Sequence, residues 1–79
     1  MITVPQIRAA RALLGWTVRE LAHQAVVSVA TVNLIEDARG LRSTSTGNVA
    51  AIQATLEAAG IEFLSGDAPG VTLRPKKRK

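Results

Sequence analysis

The sequence predicts a mainly helical domain in which four short helices are followed by a C-terminal β-hairpin. Apolar residues return at helical spacing in four stretches, each bounded by a capping residue, a glycine or a polar run. Trp16 and Phe63 are the only aromatic residues, and Ala, Leu, Ile and Val supply nearly all the rest of an apolar content of 47%. That composition suits short, closely packed helices. From residue 61 onward the apolar period changes from helical to alternating.

The first helix is expected over 5–14. Proline loses nothing at a first helical position and presets φ, so Pro5 after Thr3-Val4 marks the start. Ile7, Ala10 and Leu14 then form one apolar stripe, and Gly15 closes the segment as a left-handed cap. Thr17-Val18-Arg19-Glu20 reads as a capping box in which the Thr17 hydroxyl and the Glu20 carboxylate satisfy free amides, opening a second helix that runs to 24 or 25. Val26-Val27-Ser28 stops it. Ser28 caps a third helix over 29–37, with Val32 and Ile35 facing inward and Gly40 as its end. A polar loop at 40–46 leads to a fourth helix over 47–59, carried by Val49, Ile52, Gln53 and Leu56 and stopped by Gly60-Ile61 in a Schellman arrangement. Ile61-Glu62-Phe63-Leu64 and Val71-Thr72-Leu73-Arg74 are the two strands, joined by a six-residue loop. An isolated hairpin is barely stable, so it has to pack on the helices, on a second chain, or on both.

Seventy-nine residues make one domain with a small core, and dimerisation is expected from size alone. The absence of cysteine excludes a disulfide framework and thiolate chemistry and fits a reduced cytoplasm. The longest apolar run, 25–30, is interrupted by Ser28 and falls far short of the roughly 20 residues that span a bilayer, and the N-terminus lacks a secretory pattern. The formal net charge of +4 is unevenly spread. Residues 1–70 are nearly neutral, five arginines against six acids, whereas 71–79 hold five bases and no acid. A basic tail suits nucleic acid, although a solvated charge run is the plainer reading.

The informative unit is the pair of short helices between Thr17 and Asp37. A turn of about three residues forces them to cross at a large angle, leaving the second one protruding, and a protruding helix fits the roughly 12 Å major groove of DNA. Here the chain resembles the Cro/C1-type (xenobiotic-response-element-like) helix-turn-helix family of phage and bacterial regulators. The resemblance rests on Ile7 and Arg11, on Gly15-Trp16-Thr17, on Glu20-Leu21-Ala22, and on Val27-Ser28, Ala30-Thr31-Val32 and Ile35-Glu36. It is dense over 5–39 and loose over 47–59. It implies a lambda-repressor-like helix-turn-helix domain over 1–60; beyond it, the change of apolar period gives a hairpin over 61–74 that is expected to serve dimerisation, and the charge run gives a basic, disordered tail over 75–79. The family usually continues with a fifth helix, so its mode of dimerisation does not carry over.

The implied function is that of a cytoplasmic, bacterial transcriptional regulator, a repressor or an activator, that binds double-stranded DNA as a homodimer on a two-fold operator. Base contacts would come from Asn33 and Thr31 by hydrogen bonding and from Val29, Ala30 and Leu34 through thymine methyl groups. Phosphate contacts would come from Thr17, Arg19, Arg39, Arg42, Ser43 and Thr44. Arg11 and Glu36 match a structural ion pair between the first and third helices. Ile61, Phe63, Leu64, Val71 and Leu73 would form the dimer contact. Two departures from the family matter. Val26 stands where glycine is common, so the turn either has another geometry or tolerates strain. Val29 and Leu34 stand where polar residues are common, so this face could instead bind a regulatory protein partner, as an antitoxin or antiactivator would.

Trp16 reads as a wedge at the first helical corner, with a backbone contact through its indole N–H as the lesser alternative. An enzyme is not expected. His23 is a lone histidine on an outward helix face, and Glu36-Asp37 are adjacent acids that point differently. No phosphate-binding glycine loop follows a strand, Gly66 and Gly70 being turn residues. Neither a cofactor nor a metal is expected.

Overall fold

The structure is a computed structural model and describes residues 2–37 and 46–74. Among these, four helices precede one antiparallel hairpin: α1 (Val4–Leu14), α2 (Val18–Ala25), α3 (Val29–Glu36), α4 (Thr46–Ala58), β1 (Ile61–Leu64) and β2 (Gly70–Leu73). The anticipated class and element order are found, with ends shifted by a residue or so. Strand β2 begins at Gly70 and ends at Leu73, so the connecting loop is 65–69, one residue shorter than expected. The Gly40 stop and the 75–79 tail lie outside the described residues.

Local capping explains where the helices start. Thr3 caps α1 in a full capping box: its hydroxyl accepts from the Gln6 amide at 3.3 Å, and Gln6 Oε1 accepts from the Thr3 amide at 2.8 Å. The box expected at Thr17 is only half made. Thr17 Oγ1 accepts from the Glu20 amide at 3.1 Å, but Glu20 Oε2 accepts from Gln24 Nε2 instead. A carboxylate four residues before an amide on one helix face has that near partner available. Ser28 caps α3 by accepting from the Thr31 amide at 3.0 Å.

The helix ends are equally specific. At α1, Gly15 takes φ 71°, its N–H reaches Ala12 and the Trp16 N–H reaches Arg11 across one more residue, forming a Schellman motif. The end of α2 repeats this geometry around a valine. Val26 has φ 58° and ψ 46°, its N–H donates to His23, and the Val27 N–H donates to Ala22. The turn has therefore kept its geometry and tolerates the strain. Val27 is half-buried against the core and Ser28 is committed to capping α3, so residue 26 is held from both sides.

Ile7, Leu21, Val32, Ile35, Ile52 and Leu56 are fully buried at the centre, joined by Ile2, Ala10, Ala22, Ala25, Val49 and Ile61. Burying each of the large side chains is worth roughly 1.5–3 kcal/mol. The hairpin closes one side of this core, β2 lying on α1 and β1 on α4. Its register pairs Ile61 with Leu73, Glu62 with Thr72, Phe63 with Val71 and Leu64 with Gly70. Ile61, Phe63 and Val71 turn toward the helices, so the hairpin packs within the chain. Gly60 makes this return possible. It sits at φ 110°, and a Cβ there would lie 2.7 Å from the Arg74 carbonyl oxygen. Its own carbonyl accepts from the Arg74 amide at 2.8 Å.

Candidate functional site

Helix α3 is anchored by one face and offers the other. Val32 and Ile35 are buried against α1 and α2, and Glu36 is buried at the C-terminal end. A carboxylate at that end opposes the helix dipole, and two arginines compensate. Arg11 holds Glu36 through two bonds, Nε to Oε2 at 2.7 Å and Nη2 to Oε1 at 2.8 Å, while its Nη1 donates to the Trp16 carbonyl at 3.1 Å. Arg8 Nη2 donates to the Glu36 backbone carbonyl at 2.6 Å, and its Nε stands 3.8 Å from Oε1. Hydrogen bonding to Glu36 raises the Arg11 pKa above its ordinary value, against the opposing effect of burial. The expected Arg11–Glu36 pair is thus present, and it fixes the end of α3 to α1.

Arg8 was not singled out from the sequence. Its position three residues before Arg11, on the same side of α1, was the available signal. Gln6 was missed as well, although Thr3-Val4-Pro5-Gln6 is a legible capping box. Its amide nitrogen donates to the Leu64 carbonyl at 2.7 Å and to the Gly70 carbonyl at 2.9 Å, tying the mouth of the hairpin loop to α1.

The outward face of α3 carries Val29, Ala30, Asn33 and Leu34, all exposed. Val29 is 41% and Leu34 47% accessible. On the turn before α3, Val26 is 88% accessible. Thr31 is different: it is half-buried, and its hydroxyl lies 2.9 Å from Ser28 Oγ in the cap. The Thr17 cap and Arg19 are exposed at the start of α2. Arg39, Arg42, Ser43 and Thr44 lie outside the described residues.

The five hairpin residues separate into two groups. Ile61 is buried, and Phe63 and Val71 are half-buried against the core, so their apolar surface is largely used within the chain. Leu64 and Leu73 remain open, at 40% and 39%. Trp16 is half-buried at the corner between α1 and α2, beside Gln24, Thr55, Ala58 and Ala59, as the wedge reading anticipated. His23 is exposed on α2.

Among the described residues, no group of three or more His, Cys, Asp or Glu could hold a metal ion. No helix among them is long and apolar enough to cross a membrane. No protein-family model matches the chain, and no curated protein matches it.

Proposed function

We propose that the chain is a sequence-specific DNA-binding transcriptional regulator of the helix-turn-helix type, similar to the Cro/C1 family, acting as a homodimer in the cytoplasm. The observation that carries this reading is the presentation of α3. Eight residues, about 12 Å of helix, follow α2 after a three-residue turn and are clamped at the far end by Arg11 and Arg8, with one whole face left in solvent. A helix with its side chains is about 10–12 Å across, which suits a major groove about 12 Å wide. The capped start of α2 at Thr17 and the basic residues of 71–79 supply groups for phosphate, which fix register without reading sequence. In the dimer, two copies of α3 would enter successive grooves about 34 Å apart.

The test is a titration of the full chain against duplexes covering its own upstream region, at several salt concentrations. Selective binding should weaken with a log–log slope of roughly −0.9 for each phosphate neutralised. Asn33→Ala should cost about 1–3 kcal/mol on the preferred duplex and relax preference at one position per half-site. A slope near zero, or equal affinity for all duplexes, refutes the reading.

The apolar character of Val29 and Leu34 favours a second reading, in which the same face of α3 docks a regulatory protein. Flat salt dependence with DNA would favour that alternative.

A further inference from the structure

The side chains on the outer face of α3 restrict which base pairs it could read. Guanine offers two acceptors in the major groove, and the commonest specific contact to it is a bidentate Arg or Lys. Helix α3, Val-Ala-Thr-Val-Asn-Leu-Ile-Glu, contains neither. Cytosine offers an amino donor that an acidic side chain would accept. The only acid in α3 is Glu36, which is buried and held by Arg11 through two bonds. Thr31 is half-buried, and its hydroxyl already has a partner in Ser28 Oγ at 2.9 Å, which makes it less open to a base edge than an exposed side chain. That leaves Asn33, exposed, whose amide carries one donor and one acceptor in the arrangement that matches adenine N6 and N7.

On either side of Asn33 the face is apolar. Val29, Ala30 and Leu34 offer no hydrogen bond to the polar groups of either base pair, and against G·C that desolvation is a cost with no methyl contact to offset it. Thymine is the only base that presents a methyl group there. The face therefore both attracts one base and penalises its competitors. A polyanionic duplex as occupant also fits the charge of the chain, since 71–79 hold five bases and no acid.

Resting on the DNA-binding reading, we propose that α3 recognises A·T pairs through thymine methyl groups: Val29, Ala30 and Leu34 pack on C5 methyls, and Asn33 pairs with one adenine. Specificity at these positions is then set by single carbon atoms on the DNA. Uracil, which differs from thymine only by the missing methyl, isolates that contribution.

The experiment selects preferred duplexes from a randomised pool with the full chain, then measures Kd by fluorescence anisotropy at fixed salt for duplexes with single thymine-to-uracil replacements. Selected half-sites should be rich in A·T. Uracil at a contacted thymine should weaken binding about fourfold, the worth of one buried methyl group. A C·G pair at that position should bind more weakly than 5-methylcytosine·G by a similar factor. Leu34→Ala, an exposed substitution to a good helix former, should abolish the thymine–uracil difference at one position, and Val29→Ala at another. Circular dichroism should show both variants folded. Selective binding with no thymine–uracil difference, or guanine required in the base pairs covered by α3, overturns the methyl proposal and leaves the DNA-binding reading standing. Binding without preference among duplexes overturns both and leaves the apolar face to a protein partner.

Discussion

Replacing Val26 by glycine should stabilise the protein, although it removes three carbon atoms. A left-handed backbone costs an ordinary L-residue roughly 1–2 kcal/mol, because Cβ crowds the following carbonyl, and a branched Cβ sits at the upper end. Glycine avoids that cost but gains freedom in the unfolded chain, worth roughly 0.5–1 kcal/mol in the opposite direction. At 88% exposure the valine side chain loses almost no burial when it is removed. The net expectation for Val26→Gly is a gain of about 0.5–1 kcal/mol, which for a domain of this size raises Tm by about 3–6 °C. Val26→Ala keeps Cβ and so should stay within about 0.5 kcal/mol of the parent chain. Val26→Asn should recover part of the gain, since asparagine tolerates this conformation. Thermal unfolding followed by far-ultraviolet circular dichroism, repeated at several protein concentrations, is the assay. A Val26→Gly chain that melts at or below the parent temperature at every concentration refutes the strain account. A loss seen only at high concentration would show instead that Val26 is buried between copies.

Three further outcomes follow from contacts described above. Glu36→Ala strands Arg11, whose side chain is only 20% exposed, and should cost about 2–4 kcal/mol in urea unfolding, whereas the double change Arg11→Met with Glu36→Leu should recover most of that loss. Gln6→Ala removes both bonds to the hairpin carbonyls and should cost about 1–3 kcal/mol, with amide exchange accelerated in 61–73 more than in α2 or α3. If the hairpin carries the dimer contact, Leu64→Glu and Leu73→Glu, both at partly exposed positions, should shift sedimentation to monomer without loss of helical signal. A dimer that survives both places the contact elsewhere. Deleting everything from 61 onward is a poorer test, because Ile61 belongs to the core.

What could be read from the sequence was mostly local. Gly15 and Ser28 act within one turn of themselves, so their roles follow from neighbouring residues and the element order came with them, whereas Gly60, legible as a helix stop, also meets Arg74, which the pattern does not show. The half-made cap at Thr17 shows the limit of that reasoning. Two partners compete for Glu20, and pattern alone does not rank a backbone amide against Gln24. Long-range pairing was legible only where the resemblance supplied it, for Arg11 and Glu36. Gln6 bonding to Leu64 and Gly70, and Arg8 reaching the Glu36 carbonyl, join residues 28 to 64 positions apart, and nothing in periodicity or spacing specifies such partners. The sidedness of the hairpin was hidden for a similar reason. Alternation shows that residues 61 and 63 share a face, but not that the helices of the same chain cover it.

The Gln6 side chain has a consequence for the order in which the molecule assembles. Its amide closes the first turn of α1 through Thr3 and also holds two carbonyls 58 and 64 residues further along. During synthesis, residue 6 leaves the ribosome several seconds before residue 70, at rates of about 5–20 residues per second. Until then its amide nitrogen has only water to bind, and α1 has its cap without its anchor. The helices are built from local contacts and form quickly, whereas the hairpin contact must close a long loop. Completion of the fold is therefore registered at its beginning: the start of α1 becomes fully fixed only when β2 arrives.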